Sequence, residues 1–130
     1  MFLDDLREFC LSRKGATEHF PFDQNTLVFK VGNKMFALMD VEHFEGIALK
    51  CDPEYAQGLR AEYSAISGAF HMSKVHWNSV KVGGDVDDQL LRQLIQDSYN
   101  LVFDKLTKKI KNEIISLSKE RLQGSIVEDK

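Results

Sequence analysis

Residues 26–39 read TLVFKVGNKMFALM and give the clearest structural signal in the chain. Leu27, Phe29 and Val31 occupy alternate positions, which is the period of a β-strand with one buried face. Gly32-Asn33 follows as a two-residue turn, and a second apolar run begins at Met35. This pattern predicts a β-hairpin and therefore an antiparallel sheet.

Shorter signals on both sides of the hairpin predict further strands. Residues 46–51 place Ile47, Leu49 and Cys51 at alternate positions, which favours a strand with one buried face. Strands are also predicted at residues 17–20, 69–72 and 76–82, before Gly83-Gly84 interrupts the pattern. With the hairpin included, three or four strands precede the second predicted helix and two follow it, so we expect a sheet of about five strands.

Three segments have the apolar spacing of helices that bury one stripe. The first covers residues 2–14, and the second covers residues 53–66, where Asp52 is a suitable N-cap and Pro53 fits the first turn. The third begins near Val86, and its apolar pattern persists to Leu117. The predicted fold class is α+β, with helices packed on an antiparallel sheet in the order α-β(3)-α-β(2)-α.

The composition is that of one ordinary globular domain. The chain has 130 residues, of which 43% are hydrophobic and 28% are charged. Lys and Arg total 17 against 20 for Asp and Glu, which gives a net charge of −3. A chain with this balance has no overall field that attracts nucleic acid, so a polyanion site has to be a local patch.

The cysteines and the N-terminal residues favour a cytoplasmic protein. Cys10 and Cys51 are far apart in sequence, which fits reduced thiols better than a disulfide framework. The first residues carry acids where a secretory signal needs positive charge. No stretch approaches the roughly 18 apolar residues of a membrane span. We expect a protein of the cytoplasm that has no membrane partner.

Motifs that would indicate catalysis, a metal or a cofactor are missing from the sequence. Cys10 lies on the predicted buried stripe of the first helix, and no serine lies in a Gly-x-Ser-x-Gly elbow. His71 and His76 are five residues apart, which places them on opposite faces of a continuous strand. No glycine-rich phosphate loop follows a predicted strand. We therefore expect a protein that is not an enzyme and binds neither cofactor nor metal.

The polar side of the predicted sheet suggests nucleic-acid binding. If Phe29, Leu49 and Val80 point inward, the residues of the opposite face form a basic surface with one aromatic. That outward set is Lys30, Lys50, Trp77 and Lys81, and it is extended by Lys74 and His76 in the adjoining turn. Lysines neutralise phosphates, and a Trp can stack on a base or wedge between two bases. The alternative is a solvated scaffold in which the same lysines keep an exposed sheet face soluble.

Protein interaction is a third class of function. An exposed aromatic such as Phe70 or Trp77 can anchor an interface. The long third helix, with its apolar continuation to Leu117, offers a second surface through which two copies can pair. This pattern also fits a chaperone-like module that acts as a homodimer.

Six short blocks resemble the MmcQ/YjbR family and occur in the family's order. They are FPF (20–22), TLVFKV (26–31), KMFAL (34–38), LKCDPE (49–54), HMSK with HWN (71–74 and 76–78) and SY (98–99). The resemblance covers about residues 1–110, so residues 111–130 are interpreted as a helical extension or a flexible tail. Thr107 stands where the family's last helix usually has Pro, which would let the third helix continue.

The resemblance implies a small bacterial cytoplasmic domain of the CyaY-like type, a fold also seen in secretion chaperones. The family is commonly labelled DNA-binding, on the idea that hairpins form a double wing, and no catalytic residues are assigned to it. Together with the residues, it predicts a protein that binds double-stranded DNA through Lys30, Lys50, Lys74, His76, Trp77 and Lys81. The alternative is a homodimer or a module that binds another protein.

Overall fold

The computed structural model describes residues 1–69 and 72–117. Its elements, in chain order, are α1 (Leu3–Leu11), β1 (Thr17–His19), β2 (Thr26–Val31), β3 (Lys34–Asp40), β4 (Gly46–Lys50), α2 (Pro53–Glu62), β5 (Ile66–Gly68), β6 (Trp77–Lys81) and α3 (Asp88–Asp104). A further helical segment covers residues 108–117.

The six strands form one antiparallel sheet in the order β1-β2-β3-β4-β6-β5. The α+β class is therefore confirmed. The exact order differs from the prediction, because four strands rather than three precede α2 and the sheet has six strands rather than about five. The edge strands β1 and β5 have only three residues each. Such short edges offer few unpaired backbone groups to another strand.

The predicted hairpin is formed by β2 and β3. Gly32 and Asn33 both have positive φ, at 56° and 66°, as a tight hairpin turn requires. The register shifts between Phe29 and Lys30, where β3 carries an extra residue. Because of this bulge, Phe36 and Ala37 both lie in the core although they are adjacent in sequence.

The core lies between the sheet and the helices, and this side of the sheet is called the inner face here. The helix α3 crosses β2, β3 and β4 on this face. Phe36 packs edge-on against Tyr99 of α3, with 5.5 Å between ring centroids. The Ser98 hydroxyl donates to the Phe36 carbonyl at 2.6 Å and accepts from the Lys50 N–H at 2.9 Å. A single buried hydroxyl thus ties α3 to two strands.

The second helix is shorter than predicted, and the strand after it begins earlier. The helix α2 ends at Glu62, and Ile66, the expected last residue of that helix, opens β5. The Asp85 carboxylate accepts hydrogen bonds from the backbone N–H groups of Ser64 and Ala65, at 2.7 and 2.9 Å. In the predicted helix, these two N–H groups would donate to carbonyls of the preceding turn. Asp85 accepts from them instead, and the local sequence pattern gives no sign of this distant partner.

The expectation that the third helix continues past Thr107 is wrong. The helix α3 ends at Asp104, and the Thr107 hydroxyl accepts from the Ile110 N–H at 3.2 Å at the start of the next helical segment. A Cβ added at Gly32 would lie only 2.6 Å from a methyl carbon of Leu106, so the chain turns where it packs closely on the hairpin. The new helical segment runs from residue 108 to residue 117, across the boundary near residue 110 at which the family resemblance ends. Its Ile114 joins the core. Residues 118–130 of the expected extension lie outside the described residues.

Candidate functional site

The sheet has a second face, turned away from α3, which is called the outer face here. Leu38 pairs with Val28 on one side and with Ala48 on the other, and Ala48 pairs with Ser79. These residues form one row across four strands. Apart from the buried Val28, they are half-buried. The outer face is therefore small and apolar at its centre.

One end of the sheet is basic. It is formed where β2 ends, β3 begins, β4 ends and the chain enters β6. The residues of the basic end are Lys30, Lys34, Lys50, Lys74 and, just after α3, Lys105. Lys30 and Lys50 stand on the outer face at this end, whereas Lys34 pairs with the core residue Val31 and Lys105 follows α3, which packs on the inner face. Four of the five come from different secondary-structure elements or their immediate ends, so the cluster depends on the fold rather than on a run of lysines.

The opposite end of the outer face is acidic. Asp23 and Asp40 lie where β2 begins and β3 ends, and Glu45 immediately precedes β4. Backbone N–H groups of Asn25 and Thr26 donate to Asp23 and lower the pKa of its carboxyl. Lys81, predicted to lie with the other lysines, is at this acidic end, opposite Gly46. It stands four residues along β6 from Trp77, or about 13 Å.

The positive charge at the basic end affects the pKa of Lys50. Its pKa is lowered, first because the ammonium is partly removed from water, and then because Lys105 and Lys34 are close enough to repel it. Lys34 and Lys105 were absent from the predicted site. The hairpin register indicates Lys34, since it opens β3 across the turn from Val31. The position of Lys105 depends on how α3 packs.

Trp77 occupies an outer-face position, opposite Lys50, but its side chain is buried and only 8% exposed. The prediction that it offers an exposed ring for stacking is therefore wrong. The chain before β6 folds back, so that the Trp77 N–H donates to the Ser73 carbonyl at 2.9 Å and its carbonyl accepts from Ala69 at 3.1 Å. Phe70 and His71, also considered from the sequence, lie outside the described residues.

Arg60 of α2 holds the turn that carries Lys74 and His76, both of which are exposed. Its guanidinium donates to the Asn78 side-chain oxygen at 2.6 Å, to the Trp77 carbonyl at 3.3 Å and to the Lys74 carbonyl. The sequence analysis missed Arg60. No local pattern indicates it, because its partners are 14 or more residues away along the chain.

A groove of about 870 Å³ lies on the outer face, between the loop at residues 20–25 and the turn at residues 72–76. It is called the outer groove here. Met35, Leu38 and Ala48 line its floor, and Phe22 and Met72 line its sides. The residues of the acidic end and Lys81 close one end of it. The sequence signal for this groove was the apolar Met35 and Leu38 on the strand face opposite the core.

The two thiols are buried and neutral near pH 7. Burial raises the pKa of Cys10 to about 12 and that of Cys51 to about 11. Both lie in the core, as predicted. Within residues 1–69 and 72–117, no three His, Cys, Asp or Glu side chains come together as metal ligands would. In the same part of the chain, no helix has the length and apolar character needed to cross a membrane.

The six-stranded antiparallel sheet with helices on its inner face defines a small α+β domain. Within that class, the chain belongs to the YjbR family, since the family model YjbR matches residues 11–101. The resemblance inferred from the six sequence blocks is therefore confirmed.

Relatives and solved structures agree with this assignment. An uncharacterized protein YbdF of Escherichia coli O157:H7 is 41% identical over 91 residues, which cover 69% of this chain and 75% of that protein. The uncharacterized protein YjbR of Escherichia coli K12 is 27% identical over 90% of this chain and 100% of its own. A crystal structure of the Deinococcus radiodurans protein DR2400, with the domain DUF419, superposes with a TM-score of 0.81 at 39% identity, covering 86% of each chain.

Proposed function

We propose that this chain binds double-stranded DNA without catalysing a reaction, and that the basic end contacts the phosphates. The observation that carries the proposal is the convergence of Lys30, Lys34, Lys50, Lys74 and Lys105 at one end of the sheet. The lowered pKa of Lys50 supports it, because two of these lysines contribute to that shift. A site of this kind gains affinity by releasing the counterions condensed on DNA.

The charge distribution determines which end of the sheet the DNA contacts. The acidic end repels phosphates while the basic end attracts them, so the duplex is expected to contact one end of the sheet only. Lys81 is therefore excluded from the contact set. His76 is exposed in the same turn as Lys74, where its ring nitrogens can form hydrogen bonds to phosphate oxygens. Trp77 supports the turn from inside and does not stack on bases.

The test is the salt dependence of duplex binding, measured by the fluorescence anisotropy of a labelled DNA. Five phosphate contacts, one for each lysine of the basic end, give a slope of about −4.5 in a plot of log affinity against log salt. The double variant Lys34→Gln with Lys50→Gln is expected to reduce the magnitude of this slope by about 1.8.

Lys81→Gln is the matched control, because it removes the same kind of charge from the opposite end of the outer face. Its slope is expected to equal that of the wild-type protein. Equal losses per charge removed in the control and the double variant would mean that net charge alone drives binding. If the wild-type protein does not bind the duplex at about 15 mM salt, one-tenth of physiological ionic strength, the proposal is wrong.

We place this function in the bacterial cytoplasm. Cys10 and Cys51 are both free and buried. Reduced cysteines of this kind are usual in a compartment where thiols stay reduced.

A further inference from the structure

Apolar side chains project from the two loops that flank the outer groove. Phe20 and Phe22, on the first loop, are 50% and 64% exposed, and Val75, on the second, is 59% exposed. The floor between the loops is also apolar, with Met35 and Leu38 half-buried. An apolar floor with apolar projections beside it is typical of a surface that another protein covers.

The two loops stand at diagonally opposite corners of the outer face. The loop at residues 20–25 joins β1 to β2 and lies at the acidic end. The second loop is represented by residues 72–76, which precede β6 and lie at the basic end, beside the pair Lys50 and Trp77. Each loop therefore leaves the other corner of its own side of the sheet open. A surface with two projections and two open corners can interlock with a copy of itself.

The charges of the outer face are complementary to themselves under a two-fold rotation. Rotation about an axis that lies between two outer faces and runs across the strands reverses the strand direction of the second copy. The basic end of each copy then lies over the acidic end of the other. A single strand, β4, illustrates this polarity. Glu45 precedes it and Lys50 ends it, with Gly46 and Ala48 at outward-facing positions between them.

We propose that the outer face binds a second copy of this chain in antiparallel orientation, with the basic end of each copy on the acidic end of the other. Phe22 of each copy then reaches the open corner beside Lys30 and Met35 of its partner. This inference goes beyond DNA binding and does not depend on it. The two activities compete, since both use the basic end.

The size of the surface sets the expected strength of this pairing. Six strands about 4.8 Å apart and about five residues long give a planar area of roughly 400 Å². Stable interfaces bury about 800 Å² on each partner. The loops therefore have to supply about half of the contact, and the dimer is expected to be weak, with a dissociation constant in the micromolar range or above.

The test is sedimentation velocity with the full chain over a concentration series and without nucleic acid, so that its result is independent of DNA binding. The wild-type protein is expected to shift from monomer to dimer as its concentration rises. Lys50→Glu and Glu45→Lys each place like charges opposite each other in both halves of a symmetric dimer. Each variant alone is therefore expected to remain monomeric over the same range.

An equimolar mixture of these two variants is the decisive sample. In a mixed dimer, Glu at position 50 of one copy faces Lys at position 45 of the other, and the unchanged Glu45 and Lys50 face each other. Dimers are therefore expected to return in the mixture. A mixture that stays monomeric, or a wild-type protein that stays monomeric at the highest concentration, overturns the proposal.

Phe22→Ser tests the loop contact without changing charge. Phe22 is largely exposed, so its replacement is expected to leave the thermal unfolding temperature unchanged. The dissociation constant of the dimer is expected to rise about tenfold or more, as for an aromatic side chain that anchors an interface by packing against its partner. An unchanged dissociation constant in a folded variant also overturns the proposal.

Discussion

The inner and outer faces of the sheet are made from alternate residues of the same strands, yet different side chains fill them. On the inner face, Phe29 and Phe36 are completely buried beneath α3. On the outer face, Leu38, Ala48 and Ser79 are half-buried, and lysines and carboxylates occupy opposite ends. The contrast indicates that the inner face supplies the stability of the domain, whereas the outer face is free to carry a binding function.

The largest expected difference between the faces is at two neighbouring residues of β3. Phe36→Ala removes a fully buried ring from the inner face and is expected to lower the free energy of unfolding by about 3–5 kcal/mol. Met35→Ala, on the outer face, is expected to cost about 1 kcal/mol or less, because its side chain is only half-buried. Urea unfolding measures both values. Equal losses would contradict the division of roles between the faces.

A smaller difference is expected between two serines. Ser98→Ala leaves the Lys50 N–H and the Phe36 carbonyl without their shared buried partner, at a cost of about 1–3 kcal/mol in the free energy of unfolding. Ser79→Ala changes the same group on the outer face and is expected to cost less than about 0.5 kcal/mol. Thermal unfolding of the two variants compares them directly. A Ser98→Ala protein as stable as the Ser79→Ala protein would show that water replaces the hydroxyl.

The smallest of the expected effects is an increase in the free energy of unfolding, when Lys50 is replaced. The folded protein lowers the pKa of Lys50 through partial burial and through Lys105 and Lys34, so the folded state binds this proton more weakly than the unfolded chain. At pH 7, the charged Lys50 therefore opposes folding, and this opposition fades as the pH rises through the lowered pKa toward the ordinary lysine value. Lys50→Gln is expected to raise the free energy of unfolding at pH 7 by less than about 0.5 kcal/mol.

The control for this effect is Lys81→Gln at the acidic end, which is expected to bring no such gain. Urea unfolding of both variants at pH 7 and near pH 10.5 makes the comparison. The advantage of Lys50→Gln over the wild-type protein should shrink at the higher pH. An advantage that grows with pH would contradict the repulsion at the basic end.

Much of the sheet could be predicted because its signals are local. The alternation in β2 and the Gly32-Asn33 turn specify the hairpin within fourteen consecutive residues, and the same alternation assigns Phe29 to the core and Lys30 to the opposite face. Local capping chemistry also located the start of α2, where the Asp52 carboxylate accepts from the Tyr55 N–H at 3.2 Å.

The errors fall where contacts between distant residues decide the structure. The end of α2 depends on Asp85, more than 20 residues away, and the end of α3 depends on how Leu106 packs on Gly32. The same is true of the site. Lys30 and Lys50 follow from strand alternation, but the addition of Lys105 and the burial of Trp77 require the packed chain.

The separation of charge along the strands makes the outer face an electric dipole on a chain whose net charge is negative. Its two ends are about 13 Å apart along β6, whereas the Debye length at physiological ionic strength is about 8 Å. Mobile ions therefore screen each end from the other, and a nearby molecule experiences the local charge rather than the total of −3. At low ionic strength the whole dipole acts, so an approaching polyanion turns the molecule before contact is made.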